Sequence, residues 1–409
     1  MMQGALDAIY RQHSRRAMAS LVRLLGSFDL AEEALQDALL QAARQWPEKG
    51  LPVNPVAWLV STGRFQVIDR LRRLKRLGEL ADDVTDALYG SGTVEMQDEP
   101  ELLADDELRL IFMCCHPALQ PDAQLALALR EVCGLKTEEI ARAFLVSAPT
   151  IAQRIVRAKK RIRDLALPYD VPDPAALPAR LSVVLHVIYL LFNEGYAASS
   201  GADLMRQDLA EEAIRLNRLL ITLLPEPEVL GLGALMLFQH ARAPARRGAD
   251  GDLILLADQH RSLWKRDLIA EAKVLLERAW AGGAAGPYML QAAIAGAHST
   301  AKSSGETDWR RILGLYDLLL QAAPSPITAL NRAVAVAMVD GPAAGLALVD
   351  LLLETGGLGA YHLAHAARAD FLRQIGDIAQ ARQAYQQALA LAKLEPERQF
   401  LARRIHELG

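Results

Sequence analysis

The sequence predicts an all-α protein: two small helical domains, the second ending in a helix-turn-helix, followed by a long helical repeat segment. Three observations lead there. Of 409 residues, 52% are apolar and only 5% aromatic, and Ala and Leu, which lose least on entering a helix, dominate the apolar share. Apolar residues recur at three- and four-residue spacing in the stretches described below, which is the period of a helix stripe. Finally, "TEEIARAFLVSAPTIAQRIVRAKKRIRD" at 137–164 joins two short amphipathic runs at a turn, and the second run is strongly basic.

Charge is unevenly spread. The chain carries a net −4, yet residues 1–77 hold 12 Lys or Arg against 7 Asp or Glu. Residues 78–107 hold 11 acidic residues and no basic one, and residues 149–163 hold six basic residues and no acidic one. A protein that binds DNA alone is usually basic overall, so DNA binding here is expected to be local or assisted by a partner. Three cysteines, Cys114, Cys115 and Cys133, fit a reducing compartment and no disulfide framework. There is no uninterrupted apolar run of membrane-spanning length, and "MMQGALDAIYRQHSRR" lacks the apolar core of a signal peptide. A cytoplasmic protein without membrane association is expected.

The first domain spans residues 1–77. Asp29 with Glu32 three residues on predicts a capping box, opening a helix with Leu35, Leu39, Ala42 and Trp46 on one face. "WPEKGLPVNP" predicts a loop. Asn54 then caps a helix that starts at Pro55, where a missing N–H costs nothing. Val56, Leu59, Val60, Gly63, Val67 and Leu71 form its core stripe, and "DRLRRLKR" makes its end basic. Residues 78–104, acidic and broken by Gly and Pro, predict a linker.

Residues 105–166 hold the helix-turn-helix. Thr137 with Glu138 and Glu139 starts its first helix, and Ala141 is the small residue where the two helices cross. Ser147 caps the second, with Pro149 in the first turn. Ile151, Ile155, Ala158 and Ile162 form the buried stripe, while Thr150, Arg154, Arg157 and Arg161 share another face with Gln153 and Lys160. Such a face supplies base-capable residues near the N-terminal end and phosphate-binding charge beyond, as a recognition helix requires. After a Pro-rich break at 167–180, residues 181–409 are helical again. "GDIAQARQAYQQALALAKLEP" places Ala381, Tyr385 and Ala388 at the small–aromatic–small spacing of a tetratricopeptide second helix. "DLAEEAIRLNRLLITLLP", with Ala213, Leu220 and Pro225, and "NRAVAVAMVDGPAAGLALVDLLL" repeat it more loosely.

Taken together, "DLAEEALQDALLQAARQW", "NPVAWLVSTGRFQVIDRLRR", the acidic linker and the helix-turn-helix resemble an extracytoplasmic-function sigma factor. Residues 1–77 are similar to sigma region 2 and residues 105–166 to region 4. The extension, with "LFNEGY" and "LADQHRSLWKRDLI", is similar to a subgroup carrying a tetratricopeptide-like C-terminal domain. The resemblance implies a dissociable subunit that binds core RNA polymerase and promoter DNA and carries out no covalent chemistry itself. It assigns polymerase binding to Asp29, Glu32, Glu33, Gln36 and Asp37. The −10 element goes to Asn54, Trp58, Arg64, Phe65, Arg70, Arg72 and Arg73, and the −35 element to Thr150, Gln153, Arg154, Arg157, Lys160 and Arg161. It further implies a regulatory extension taking a small-molecule or protein effector, with Asn193, Glu194, Tyr196, His260, Arg261 and Trp264 as the residues to watch.

Two departures stand out. Phe65 occupies a position where such proteins often have Asn; it is either core or a stacking platform, with core favoured. Leu145 stands in the turn where Gly, free to adopt φ > 0, is usual. The competing reading is a helix-turn-helix regulator with a repeat-type sensor domain that acts without polymerase. Cys114-Cys115-His116 has no CxxC partner and is expected to be core. His362, His365 and Asp370 supply no recognisable ligand set, and "GSGT" at 90–93 lacks the Lys of a phosphate loop. No metal or cofactor is expected.

Overall fold

The computed structural model describes residues 2–76, 100–143, 146–167, 169, 170, 172, 176–196, 207–246, 248, 254–355 and 357–409. Among them are eighteen α-helices, four short 3-10 turns and no strand. Two compact units divide the chain, Met1–Leu191 and Phe192–Gly409.

The first unit begins with α1 (Met2–Leu25), α2 (Phe28–Lys49) and α3 (Pro55–Arg76), each packed on the other two. Four of the seven buried residues of α2 are alanines, and Ala31, Ala34, Ala38 and Ala42 are fully buried. Short side chains allow α3 to approach closely, and its own stripe is the one expected, with Val56, Leu59, Val60, Gly63, Val67 and Leu71 all buried. Asn54 Oδ1 accepts from the Ala57 N–H at 3.0 Å, so the predicted cap is present.

Two local expectations are corrected. The cap of α2 is Ser27, whose hydroxyl accepts from the Leu30 N–H at 3.4 Å, and Asp29 lies inside the first turn. Serine caps as well as aspartate, and Gly26 at φ 63 turns the chain just before it. The loop expected from Trp46 starts only after Lys49, with Pro47 held inside the last helical turn. A proline there removes one hydrogen bond. Gly50, at φ 82, closes the end by donating its N–H to the Trp46 carbonyl.

Next come α4 (Pro100–Cys114), α5 (Pro121–Glu131), α6 (Thr137–Ala143) and α7 (Ala148–Asp164). Helices α5 and α6 both pack on α7, and α4 packs on α1. The buried residues of α7 are Ile151, Ile155, Ala158 and Ile162, as the spacing predicted. Ser147 caps it, accepting from the Thr150 N–H. Leu145 and most of the acidic linker lie outside the described residues.

Helix α8 (Leu177–Tyr196) runs across the division between units. The second unit continues with α9 (Gln207–Leu223), α10 (Pro227–Ala241), α11 (Arg266–Ala281), α12 (Pro287–Thr300), α13 (Trp309–Ala322), α14 (Pro326–Asp340), α15 (Pro342–Thr355), α16 (His362–Gln374), α17 (Ile378–Leu391) and α18 (Glu395–Glu407). From α9 onward each helix packs on the next in sequence, the succession that stacked helix pairs require. Ala381, Tyr385 and Ala388 lie in one buried cluster with Leu372 and Leu401, and Ala213 and Leu220 are fully buried.

In this unit His298 stacks edge-on against Trp309 at 5.1 Å. Burial, with Arg242 and Arg261 nearby, lowers its pKa to about 4. An unfolded histidine titrates near 6.5, so as pH falls below that value the unfolded chain takes up a proton that the folded chain refuses. The contribution is therefore complete above about pH 6.5 and lost as pH falls toward 4. By pH 5 the loss amounts to roughly 2 kcal/mol. Urea unfolding of wild type and His298→Phe at pH 7 and pH 5 checks this: the variant should lose less stability on acidification by about that amount.

Candidate nucleic-acid interface

Between α2 and α3 lies an open groove of about 1370 Å³. Five of the seven residues assigned to the −10 element line it: Asn54, Trp58, Phe65, Arg70 and Arg73. Arg64 and Arg72 do not. Trp58 meets Trp46 edge to face at 5.2 Å, which fixes one wall. Phe65 is 67% exposed, so the expectation that it is core is corrected. The reason is its register: it lies two residues after Gly63, roughly 200° around α3 from the buried stripe. A phenylalanine held in water beside arginines offers an apolar face to a base and cationic groups to the backbone, the combination that binds single strands.

Sequence reasoning did not single out Arg44, Thr62 and Gln66, which also line the groove, nor Leu51 and Val53. The last two stand in the loop beside it at 60% and 105% exposure. Two exposed aliphatic side chains next to Asn54 were visible in "GLPVNP" as apolar residues in a polar turn.

The five residues assigned to polymerase binding all lie on α2. Glu33 and Gln36 are exposed, Glu32 and Asp37 half-buried, and Asp29 exposed. They do not form one uniform free face. Glu33 pairs with Arg70 at 2.5 Å, Glu32 with Lys159 at 2.5 Å, and Asp29 with Arg163 at 3.1 Å, while Asp37 lines the groove. The Glu33–Arg70 and Asp29–Arg163 pairs are exposed. Such pairs are worth about 0–1 kcal/mol and are screened by salt, so they are exchangeable for other partners. Lys159, at 14% exposure, is held more firmly.

On α7, Gln153, Arg157, Lys160 and Arg161 are exposed, and Thr150 and Arg154 half-buried. Arg154 reaches Asp122 of α5 at 3.2 Å, and the Thr150 and Ser147 hydroxyls are 2.8 Å apart. The six residues assigned to the −35 element thus share one side of the helix, turned away from its buried stripe, with Arg154 at the edge that meets α5. Lys159 and Arg163, on another side, were not among them.

The three cysteines are buried and free, and burial pushes the Cys114 and Cys115 thiols well up, so both are protonated. His116 Nδ1 accepts from the Ala118 N–H. His362 faces Glu397 at 3.2 Å, and His365 contacts the Gly359 carbonyl. Among the described residues no group of His, Cys, Asp or Glu is placed to hold a metal ion, and no helix is long and apolar enough to cross a membrane. In the second unit, Arg261 donates to the His298 and Ala301 carbonyls at 2.8 Å each, closing the end of α12, and stacks over the buried Trp264. His260 beside it is exposed, Glu194 is buried and Asn193 half-buried. The side chain of Tyr196 lies outside the described residues.

Comparison with known proteins places three families along the chain. Residues 9–77 match sigma-70 region 2, residues 109–162 match sigma-70 region 4, and residues 180–280 match a family of unknown function (DUF6596). An uncharacterized protein of Rhizobium meliloti is 43% identical over 409 residues, covering 99% of this chain and 96% of that one. The probable ECF RNA polymerase sigma factor SigI of Mycobacterium tuberculosis is 24% identical over 175 residues, 42% of this chain and 58% of its own. The ECF RNA polymerase sigma-E factor of Escherichia coli K12 is 25% identical over 170 residues, 41% of this chain and 88% of its own. No solved structure matches.

Proposed function

Because the chain belongs to the extracytoplasmic-function sigma factor family and carries a long helical extension, we propose that it acts as a dissociable sigma subunit regulated through that extension. In this reading α2 docks on core RNA polymerase through Asp29, Glu32, Glu33, Gln36 and Asp37. The α2–α3 groove takes the melted −10 strand, and the exposed face of α7 reads the −35 element. The observation that supports it is two differently built surfaces in one chain: a groove with an exposed aromatic, of the kind suited to a single strand, and an exposed basic helix, of the kind suited to a duplex.

Reconstituted transcription with purified core polymerase and a promoter library tests the reading. Initiation that depends on the added chain is expected, and Asp37→Ala should weaken binding to core about tenfold, roughly the 1.4 kcal/mol of a moderate interface contact. Sequence-specific DNA binding without initiation would instead favour a regulator that works without polymerase. The extension is tested by a chain ending at residue 196, which keeps α8 whole. Altered initiation in either direction supports regulation through the extension, and unchanged initiation removes it.

A further inference from the structure

In the second unit α9, α10 and α11 enclose a pocket of about 210 Å³. Each of these helices packs on the next, which sets its walls. Glu211, Ile214 and Arg218 stand three and four residues apart on α9 and so share one face. Leu237 and His240 come from the last turn of α10, and Lys265, Asp267 and Leu268 from the start of α11. Ile214 and Leu237 are buried and Leu268 half-buried, so the floor is aliphatic. Arg218 grips Glu271 of α11 with two hydrogen bonds, at 3.0 and 2.7 Å, which tie α9 to α11 beside the pocket. All eight lining residues fall within residues 180–280, the stretch that matches the family of unknown function.

His240 marks this pocket out. It is 5% exposed, lines the pocket, and its ring makes no hydrogen bond among the described residues. Buried polar groups are nearly always paired in folded proteins, so an imidazole left over at a pocket wall is available to a ligand. Burial, and then the nearby Lys265 ammonium, hold its pKa below the ordinary histidine value, while Glu211 acts the other way. The ring is therefore neutral at pH 7, with one N–H to give and one lone pair to accept with. Glu211 and Lys265 both act on this one imidazole, yet neither side chain pairs with the other or with any third among the described residues. Opposite charges left apart at one pocket fit a molecule that carries both charges itself. Asp267 has a simpler use: in the first turn of α11 it complements the helix dipole.

We propose that this pocket binds a free aliphatic amino acid as its zwitterion. The ammonium group meets Glu211, the carboxylate meets Lys265 and the His240 N–H, and the side chain lies on Ile214, Leu237 and Leu268. The size agrees: a pocket of about 210 Å³ holds roughly seven water volumes of about 30 Å³ each. That is below the roughly 300–1,000 Å³ of sites for drug-sized ligands. A peptide end supplies only one of the two charges. As the effector site of the extension, the pocket rests on the reading of that extension as regulatory; as a binding site it does not.

The test titrates the full chain, without polymerase, with L-leucine, L-isoleucine, L-valine and L-methionine by calorimetry. At least one is expected to bind with a Kd at or below about 1 mM, a modest affinity because so few atoms are buried. N-acetylation of the tightest binder removes its cation, and the decarboxylated amine lacks its anion, so each should bind at least about tenfold more weakly. Glu211→Gln and Lys265→Met should weaken binding by a similar factor. Both should leave unfolding without amino acid unchanged, because the two side chains are exposed and unpaired. His240→Phe should weaken binding as well; if that chain does not fold, the two surface variants decide. No binding by any of the four overturns the proposal, as does either analogue binding like its parent, or both surface variants binding like wild type. Failure of the regulatory reading shows separately, as binding that leaves initiation unchanged in the reconstituted assay.

Discussion

Gly63→Val should destabilise the N-terminal bundle by roughly 3 kcal/mol, within the range for overpacking a close contact. A Cβ at Gly63 would stand 2.6 Å from the Ala34 carbonyl oxygen and 2.9 Å from its carbon. Both are backbone atoms of α2 and cannot swing aside, so the two helices must part. Gly63→Ala should also destabilise, by less, since alanine recovers up to about 1 kcal/mol of helix propensity. Gly314→Ala supplies the contrast. It too lies within a helix, α13, but nothing stands within 4 Å of the added carbon, so the same change should stabilise by about 0.5–1 kcal/mol. Urea unfolding of the three variants checks the set, and a Gly63→Val midpoint equal to wild type would sink the close approach. Parting α2 from α3 also widens the groove, so promoter opening should fail in Gly63→Val at temperatures where the chain remains folded.

That contact was half-legible in the sequence. The spacing of Val56, Leu59, Val60, Gly63, Val67 and Leu71 located Gly63 on the stripe, because a helix period is a strong local signal. For α2 the sequence reading named Leu35, Leu39, Ala42 and Trp46, not the alanines at 31, 34 and 38 that pack, and nothing local tells which helix meets them. The same division runs through the rest of the first unit. Asn54–Pro55 and Ser147–Pro149 were readable as helix starts because a cap acts within its own turn. Asp29 has the capping-box spacing to Glu32, yet Ser27, two residues earlier, does the capping.

The misplacement of Phe65 has a different origin. Residue type alone argues for burial, yet position 65 falls away from a stripe that the sequence had already located. Periodicity was the better guide there than hydrophobicity. Lys159 and Arg163 were out of reach for a third reason. Their partners Glu32 and Asp29 are 127 and 134 residues away, and a basic run on one helix carries no mark of which cations face solvent and which face protein. For the second unit the small–aromatic–small spacing located Ala381, Tyr385 and Ala388 in a core, whereas Arg261, noted for its chemistry, closes the end of a helix whose start lies 26 residues downstream of it, and Trp264 is buried beneath it.

Phe65→Ala should reduce promoter opening by about ten- to a hundredfold while leaving core affinity and folding unchanged. A base stacked on an aromatic side chain is worth roughly 1–3 kcal/mol, which at about 1.4 kcal/mol per tenfold covers that range. Folding is spared because the ring is 67% exposed, and substitutions at such positions usually move stability by less than about 0.5 kcal/mol. Phe65→Trp should retain opening, since an indole stacks at least as well, and Phe65→Leu should fall with Ala because its bulk is apolar but not planar. Planarity, rather than hydrophobic area, is what the series isolates. Abortive initiation on one promoter, with core binding measured alongside, reads both quantities. Arg70→Ala in the same groove serves as the comparison: under the proposed function it should weaken opening in a salt-dependent way, as the loss of a phosphate contact does, whereas the Phe65→Ala defect should persist unchanged as salt is varied. Opening by Phe65→Ala at the wild-type rate would mean that the exposed ring has some other use, and the groove would then have to hold its strand by charge alone.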